Sequence, residues 1–222
     1  MARKMKIFAW DFHGTLEQGV EVGFWRILKQ LAREQKIKEN FKLAEVRRLY
    51  GTNVGSYLKH FFPKASADEI KQMMAQVAAI QNQRHLKKCV KPAPGAIDVL
   101  SKIKAAGHKN VVVSSSHPEH INPLIKIVDM DRLIDKVYAV DRHYTHKKID
   151  LVREKTRILK RLIEQNGLKR GELVAIGDRA SDISAGIAAG AITYQYLRRG
   201  FPVDQTESDY KIYDFQEILR EI

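Results

Sequence analysis

Apolar residues follow two rhythms along this chain, and the alternation between them predicts the fold. Short apolar runs stand at residues 7–10 (Ile-Phe-Ala-Trp), 111–113 (Val-Val-Val) and 173–176 (Leu-Val-Ala-Ile), and residues 136–140 (Lys-Val-Tyr-Ala-Val) and 191–196 read as further strands. Their length and content suit strands buried on both faces of a parallel sheet. A last strand–helix pair is predicted from Tyr210 onward. Between the strands, Ile97, Leu100 and Ile103, and then Ile158, Leu159, Leu162 and Ile163, recur at helical spacing, with Gly107 and Gly167 as stops. Pro118 suits the first turn of a helix over 118–127, and residues 183–189 read as a small-residue helix. Strands and helices in this order, joined by right-handed crossovers, predict an α/β fold with a doubly wound, Rossmann-like parallel sheet.

One long stretch breaks the alternation. From Glu17 to Lys91 the pattern is helical only: Phe24, Trp25, Leu28, Leu31 and Ala32; Leu43, Val46 and Leu49; Tyr57, Leu58 and Phe61; Ile70, Met73, Met74 and Val77. Ser66-Ala-Asp-Glu69 reads as an N-cap with acids in the first turn. These four helical patterns predict an inserted α-helical unit over 18–91, carried by a core of 1–17 and 92–222. Lys91-Pro-Ala-Pro-Gly95 is the hinge-like return, since two prolines and a glycine stop a helix.

Composition bounds the class without changing this picture. With 222 residues, 44% hydrophobic and 29% charged, the chain can bury a substantial core and reads as an ordinary globule. No apolar run reaches membrane-spanning length, and Met-Ala-Arg-Lys-Met leads into the first strand without a signal-peptide core, so a cytoplasmic protein is expected. Cys89 is the single cysteine, which excludes an internal disulfide. The formal charge of +13 raises the question of nucleic acid. Residues 21–91 hold 15 Lys/Arg against 6 Asp/Glu, but scattered along helical patterns and without a nucleic-acid motif. A solvated basic surface is the preferred reading over a nucleic-acid site, with attraction of phosphorylated substrates between the two.

Polar residues at the strand ends carry the candidate chemistry. Asp11 ends the first strand and is followed by His13-Gly14-Thr15; Ser114 and Ser115 end the second; Lys155 opens a helical pattern; Gly177-Asp178 ends a later strand, with Asp182 beyond. Each has a plain structural reading: Asp11 could open a turn, Asp178 and Asp182 could cap a helix, and Lys155 could be one exposed lysine among many, with Lys147 and Lys148 as substitutes. His143 with His146, and His117 with His120, lack a third spaced ligand and read as surface or substrate-contacting residues rather than metal sites.

Taken jointly, strand–Asp-x-x-Gly-Thr, strand–Ser, Lys, strand–Gly-Asp-x-x-x-Asp resembles the haloacid dehalogenase (HAD) superfamily, most of whose members are phosphatases. The helical insertion is similar to the α-helical cap of its phosphoglycolate phosphatase and β-phosphoglucomutase branch. The resemblance implies a Mg²⁺-dependent hydrolase of a small phosphomonoester, working through an aspartyl-phosphate on Asp11. Lys155 would sit against the nucleophile, Thr15, Ser114 and Ser115 would contact substrate, and the metal would be held by Asp11, Asp178, Asp182 and the backbone carbonyl of His13. A carboxylate attacking an anionic phosphate needs such cations to offset repulsion. His13 departs from the pattern, standing where the family's phosphatases place an acid/base Asp. Two alternatives therefore stand beside a phosphatase: a phosphate-binding or regulatory module with impaired turnover, and a dehalogenase- or phosphonatase-type hydrolase. Retention of Asp178 and Asp182 argues against a metal-free dehalogenase.

Overall fold

A computed structural model describes residues 4–38, 40–81, 84–140 and 149–222. Contacts divide the chain into two compact units: Met1–Glu17, Pro92–Arg199 and Val203–Ile222 in one, Gln18–Lys91 with Gly200–Pro202 in the other.

The first unit is built on a six-stranded parallel sheet. Its strands are β1 (Ile7–Trp10), β4 (Lys109–Ser114), β5 (Lys136–Ala139), β6 (Leu173–Gly177), β7 (Ile192–Tyr196) and β8 (Tyr210–Ile212), in the order β5-β4-β1-β6-β7-β8. The short strands β2 (Glu17–Gln18) and β3 (Lys91–Pro92) pair separately where the chain leaves and re-enters the core. β1 is central because every residue in it is apolar and buried, so both of its faces need cover.

Helices α6 (Ala96–Ala105), α7 (Pro118–Ile127), α8 (Leu151–Asn166) and α9 (Ala180–Ala189) make the crossovers, and a 3₁₀ helix (Phe215–Glu221) ends the chain. One face of the sheet packs Ile7, Ala9, Val113 and Ala175 against Leu159, Leu162 and Ala185 of α8 and α9. Gly186 is needed there, because a Cβ would meet Thr193 and Ala175 at 2.7 and 2.9 Å. On the other face Trp10 stacks edge-on with Phe215 at 5.7 Å and donates its ring N–H to Asn110 Oδ1 at 3.1 Å. Buried Asn110 in turn donates to the carbonyls of Leu100 and Leu133, so this polar group in the core is satisfied.

The order of the strands positions the site. From β1 the chain winds outward through β4 and β5, then crosses back to β6 on the other side of β1. The carboxyl ends of β1 and β6 thus flank the point where winding reverses, the usual place for a ligand in such sheets. Trp10 pairs in register with both Val112 and Ile176, so Asp11 and Asp178, which follow β1 and β6, and Ser114, which ends β4, stand at one edge of the sheet.

The second unit is helical: α1 (Val20–Glu34), α2 (Leu43–Arg48), α3 (Val54–Phe61), α4 (Ala67–Gln81) and α5 (Arg84–Cys89). Phe24, Leu28, Leu31, Val46, Leu58, Phe61, Ile70 and Met73 form its own core. Ser66 and Glu69 make the reciprocal N-terminal bonds of a capping box, as their spacing predicts. The sequence predicts four helices, and the fifth, α5, has no apolar period to reveal it. Leu86 is buried there and fills the space left by Gly23, where a Cβ would lie 2.6 Å from its side chain. Residues 200–202, expected with the core, group with this unit. Among the described residues no helix is long and apolar enough to cross a membrane.

Candidate active site

Asp11 leaves β1 with its backbone N–H bonded to the Ile176 carbonyl at 2.8 Å, which continues the β1–β6 ladder by one residue. The chain then turns at Gly14, whose φ of 90° only glycine adopts freely. Asp11 is 7% exposed. Its counter-charge comes from α8, started by Asp150, which accepts from Arg153 N–H at 3.1 Å. Lys155, in the opening turns of that helix, lines a small recess together with Ala9, Asp11, Val113, Ala175 and Asp182. Lys155 Nζ donates to Asp11 Oδ1 at 3.0 Å and also to Asp182 Oδ1. Burial works against the charge on Lys155, but Asp11 and Asp182 outweigh it and hold the ammonium above the usual lysine range.

β6 and α9 supply the other two carboxylates. Asp182 lies in the first turn of α9, where its Oδ2 also accepts from Arg179 N–H at 3.2 Å. Gly177 makes this possible, since the Cβ of any other residue would fall on the Asp182 carboxylate. Burial pushes Asp182 up to about 6; the charge on Lys155 opposes that rise and the charge on Asp11 adds to it. Asp178 is half-buried, yet its Oδ1 is shut off from solvent and meets no hydrogen-bond donor among the described residues. Burial, then the charges of Asp11 and Asp182, push Asp178 well above the usual carboxylate range, against the pull of Arg179 and Arg198.

Three carboxylates offer oxygen atoms within 4.8 Å of one another; Lys155 bonds Asp11 and Asp182, while Asp178 Oδ1 meets no donor among the described residues. That donor set, all hard oxygen with one oxygen buried and unpartnered, fits a cation of the Mg²⁺ type.

The sequence model of the haloacid dehalogenase-like hydrolases matches residues 8–195. The chain belongs to the haloacid dehalogenase-like hydrolase family. Pyrophosphatase PpaX of Halalkalibacterium halodurans is 24% identical over 169 residues, covering 75% of each chain. Among solved structures, a Clostridium difficile protein superposes with a TM-score of 0.80 at 15% identity over 98% of both chains. A haloacid dehalogenase-like protein of Streptococcus pneumoniae gives 0.74 at 16% identity over 97% of both. A HAD family hydrolase of Deinococcus radiodurans, with bound phosphate and sodium, gives 0.68 at 18% identity over 96% of this chain and 93% of its own. The fold is the HAD fold, and the protein is an enzyme of the hydrolase class.

Within this HAD core the remaining sequence-predicted residues fall in varied settings. Ser114 is buried, and its Oγ accepts from Ser116 N–H at 3.2 Å, while Ser115 is half-buried. Thr15 is fully buried, and its hydroxyl has no hydrogen-bond partner among the described residues. His13 places Nδ1 2.9 Å from Glu17 Oε1. His117 caps α7 by accepting from Glu119 N–H at 3.3 Å, with the His120 ring 5.7 Å away. His143, His146, Lys147 and Lys148 lie outside the described residues.

Two residues at the site carry no sequence signal. Glu17 follows the Gly-Thr turn as an ordinary charge, and only the fold buries it. Asp204 lies in the aperiodic segment between β7 and β8. Its Oδ2 accepts from Ala180 N–H at 2.8 Å and sits 3.2 Å from Arg179 Nε, so it steadies the turn between Asp178 and Asp182.

Proposed function

We propose that this HAD hydrolase is a phosphatase of small phosphomonoesters that uses Asp11 as its nucleophile. The observation that carries the reading is the buried assembly in which Lys155 joins Asp11 to Asp182 beside the unpartnered oxygen of Asp178. Asp11, Asp178, Asp182 and the His13 carbonyl would hold Mg²⁺. When bound, the cation supplies positive charge that offsets repulsion between a carboxylate and a phosphoryl group.

The chain's own groups do the rest. Lys155 orients Asp11 through its hydrogen bond to Oδ1, and its ammonium would face the charge that develops on the phosphoryl oxygens. Asp11 attacks phosphorus, the bond to the leaving oxygen breaks, and an aspartyl-phosphate forms. The leaving oxygen takes a proton from His13, which then accepts one from the water that attacks the aspartyl-phosphate. Phosphate departs and the Asp11 carboxylate is restored. Ser114 and Ser115, at the end of β4, would hold the phosphoryl group. The chain's formal charge of +13 would favour anionic substrates. Because the pyrophosphatase named above is a relative, pyrophosphate belongs among the first compounds tested.

The test is release of phosphate from a panel of phosphorylated metabolites, p-nitrophenyl phosphate and pyrophosphate, with Mg²⁺ and with chelator. Turnover that needs Mg²⁺ and disappears in Asp11→Asn is expected. Absence of turnover on every compound, with phosphate still bound, would make the protein a binding module whose acid/base function is lost at His13. In that case His13→Asp should restore catalysis.

A further inference from the structure

Glu17 is among the most buried charged residues described, at 1% exposure, and the mechanism above does not use it. Its Oε1 is 2.9 Å from Nδ1 of His13, whereas its Oε2 is buried and without a hydrogen-bond partner among the described residues. A leucine would fill such a place without stranding a polar oxygen, so the carboxylate is there for its contact with the imidazole. The loop presenting it is held in place: Thr15 and Glu17 N–H both bond to the Phe12 carbonyl, at 3.3 and 3.2 Å, and Ala93 N–H bonds to the Leu16 carbonyl at 2.9 Å. The Phe12 and His13 rings meet in a T-shaped contact, with centroids 5.2 Å apart.

We propose that Glu17 is a positioning residue that locks His13 in the Nδ1–H tautomer and leaves Nε2 as its one basic nitrogen. The proposal rests on the phosphatase reading for its purpose but not for its geometry. A neutral imidazole in water favours the Nε2–H form, in which the basic nitrogen is the one nearer the backbone. An acceptor fixed at Nδ1 reverses that preference, just as a carboxylate or carbonyl partner sets the tautomer of histidines elsewhere. A carboxylate at position 13 would need no such partner, and Glu17 beside it would be a like charge. The His13 and Glu17 pair thus acts as a unit: the histidine carries the proton and the glutamate decides which nitrogen receives it.

Long-range ¹H–¹⁵N spectra of the imidazole ring, taken on the full protein at a pH where the ring is neutral, read the tautomer directly and need no turnover. Wild type and Glu17→Gln, whose side-chain carbonyl still accepts from Nδ1–H, should show the Nδ1–H pattern; Glu17→Leu should show Nε2–H. Kinetics give the second arm. Glu17→Leu should lose kcat by about 10–100-fold with KM little changed, and Glu17→Gln should recover most of it. In the His13→Asp background the same Leu substitution should leave kcat level or raise it. An Nε2–H pattern in wild type, or equal losses in both backgrounds, overturns the proposal. If wild type hydrolyses nothing, the phosphatase reading fails while the spectra still decide this one.

Discussion

Lys155 and Asp11 are 144 residues apart in the chain, yet the lysine ammonium lies 3.0 Å from the aspartate Oδ1. Neither side chain is more than 8% exposed. The pair is held by the sheet order, which sets the first turns of α8 beside the end of β1. This one ammonium bonds two of three clustered carboxylates, so the site stores repulsion that a second cation would relieve.

Replacing Lys155 by methionine should therefore act twice. Removing the partner of buried carboxylates should cost about 3–5 kcal/mol of stability at pH 8 without metal. Loss of a charge aimed at the phosphoryl group should lower kcat by about 10²–10³-fold even with Mg²⁺. Urea unfolding and steady-state kinetics on the same variant check both.

Asp178→Asn should have opposite effects on stability and on activity. It removes a charge that burial and its neighbours already disfavour, so the metal-free protein should gain about 0.5–2 kcal/mol. It should also abolish turnover and the rise in Tm on adding Mg²⁺. Thermal unfolding with Mg²⁺ and with chelator, in both proteins, measures this; an unchanged Mg²⁺ response in the variant would remove Asp178 from the metal site.

The pH dependence follows from the direction of the carboxylate shifts. Asp182 is pushed up to about 6 and Asp178 well above its ordinary 3.8, so the folded state retains protons that the unfolded chain has lost. The stability these groups contribute is complete below about 4 and is lost as pH rises through about 6 and beyond. Metal-free wild type should accordingly fall in Tm between pH 5 and 8 more than Asp178→Asn does. Mg²⁺ should raise Tm strongly at pH 8 and little at pH 5, where protons occupy the same oxygens. Equal Mg²⁺ shifts at the two pH values would count against the assignment.

Gly177→Ala tests the close approach of strand and helix. The added methyl would occupy the Asp182 carboxylate position, so the side chain must leave Lys155 or the turn must open. Destabilisation of about 1–3 kcal/mol is expected, with loss of the Mg²⁺ response. Gly190→Ala, where a Cβ meets nothing within 4 Å but φ is 76°, is the control for backbone strain alone.

Asp204→Ala should loosen the turn from outside. The Ala180 N–H and Arg179 guanidinium lose their acceptor, which should cost about 1 kcal/mol and weaken Mg²⁺ by about 10–100-fold. A magnesium titration followed by intrinsic fluorescence measures the midpoint.

Much of this molecule is written in local pattern. Residues 7–10, 111–113 and 173–176 are apolar without interruption, and each becomes a strand buried in the sheet, because burial of a strand on two faces admits little else. The helices of the core end where Gly107 and Gly167 permit positive φ. The order of Asp11, Ser114, Lys155 and Gly177-Asp178 is likewise legible, since each polar residue interrupts an apolar pattern at a strand end or opens a helix. The short helix Arg84–Cys89 escapes this reading because one buried leucine makes no period.

Sequence alone thus determined the strands of the core and every longer helix, that a parallel sheet joins the strands, and which polar residues stand at element ends. Tertiary structure alone decided that Lys155 meets two carboxylates, that Asp178 keeps an unpartnered oxygen, that Glu17 is buried against His13, and that Asp204 braces the turn after β6. The division has a physical cause. Hydrophobic periodicity reports how a residue faces its own element, whereas the desolvation and Coulomb energies that make a site depend on groups brought together from distant parts of the chain.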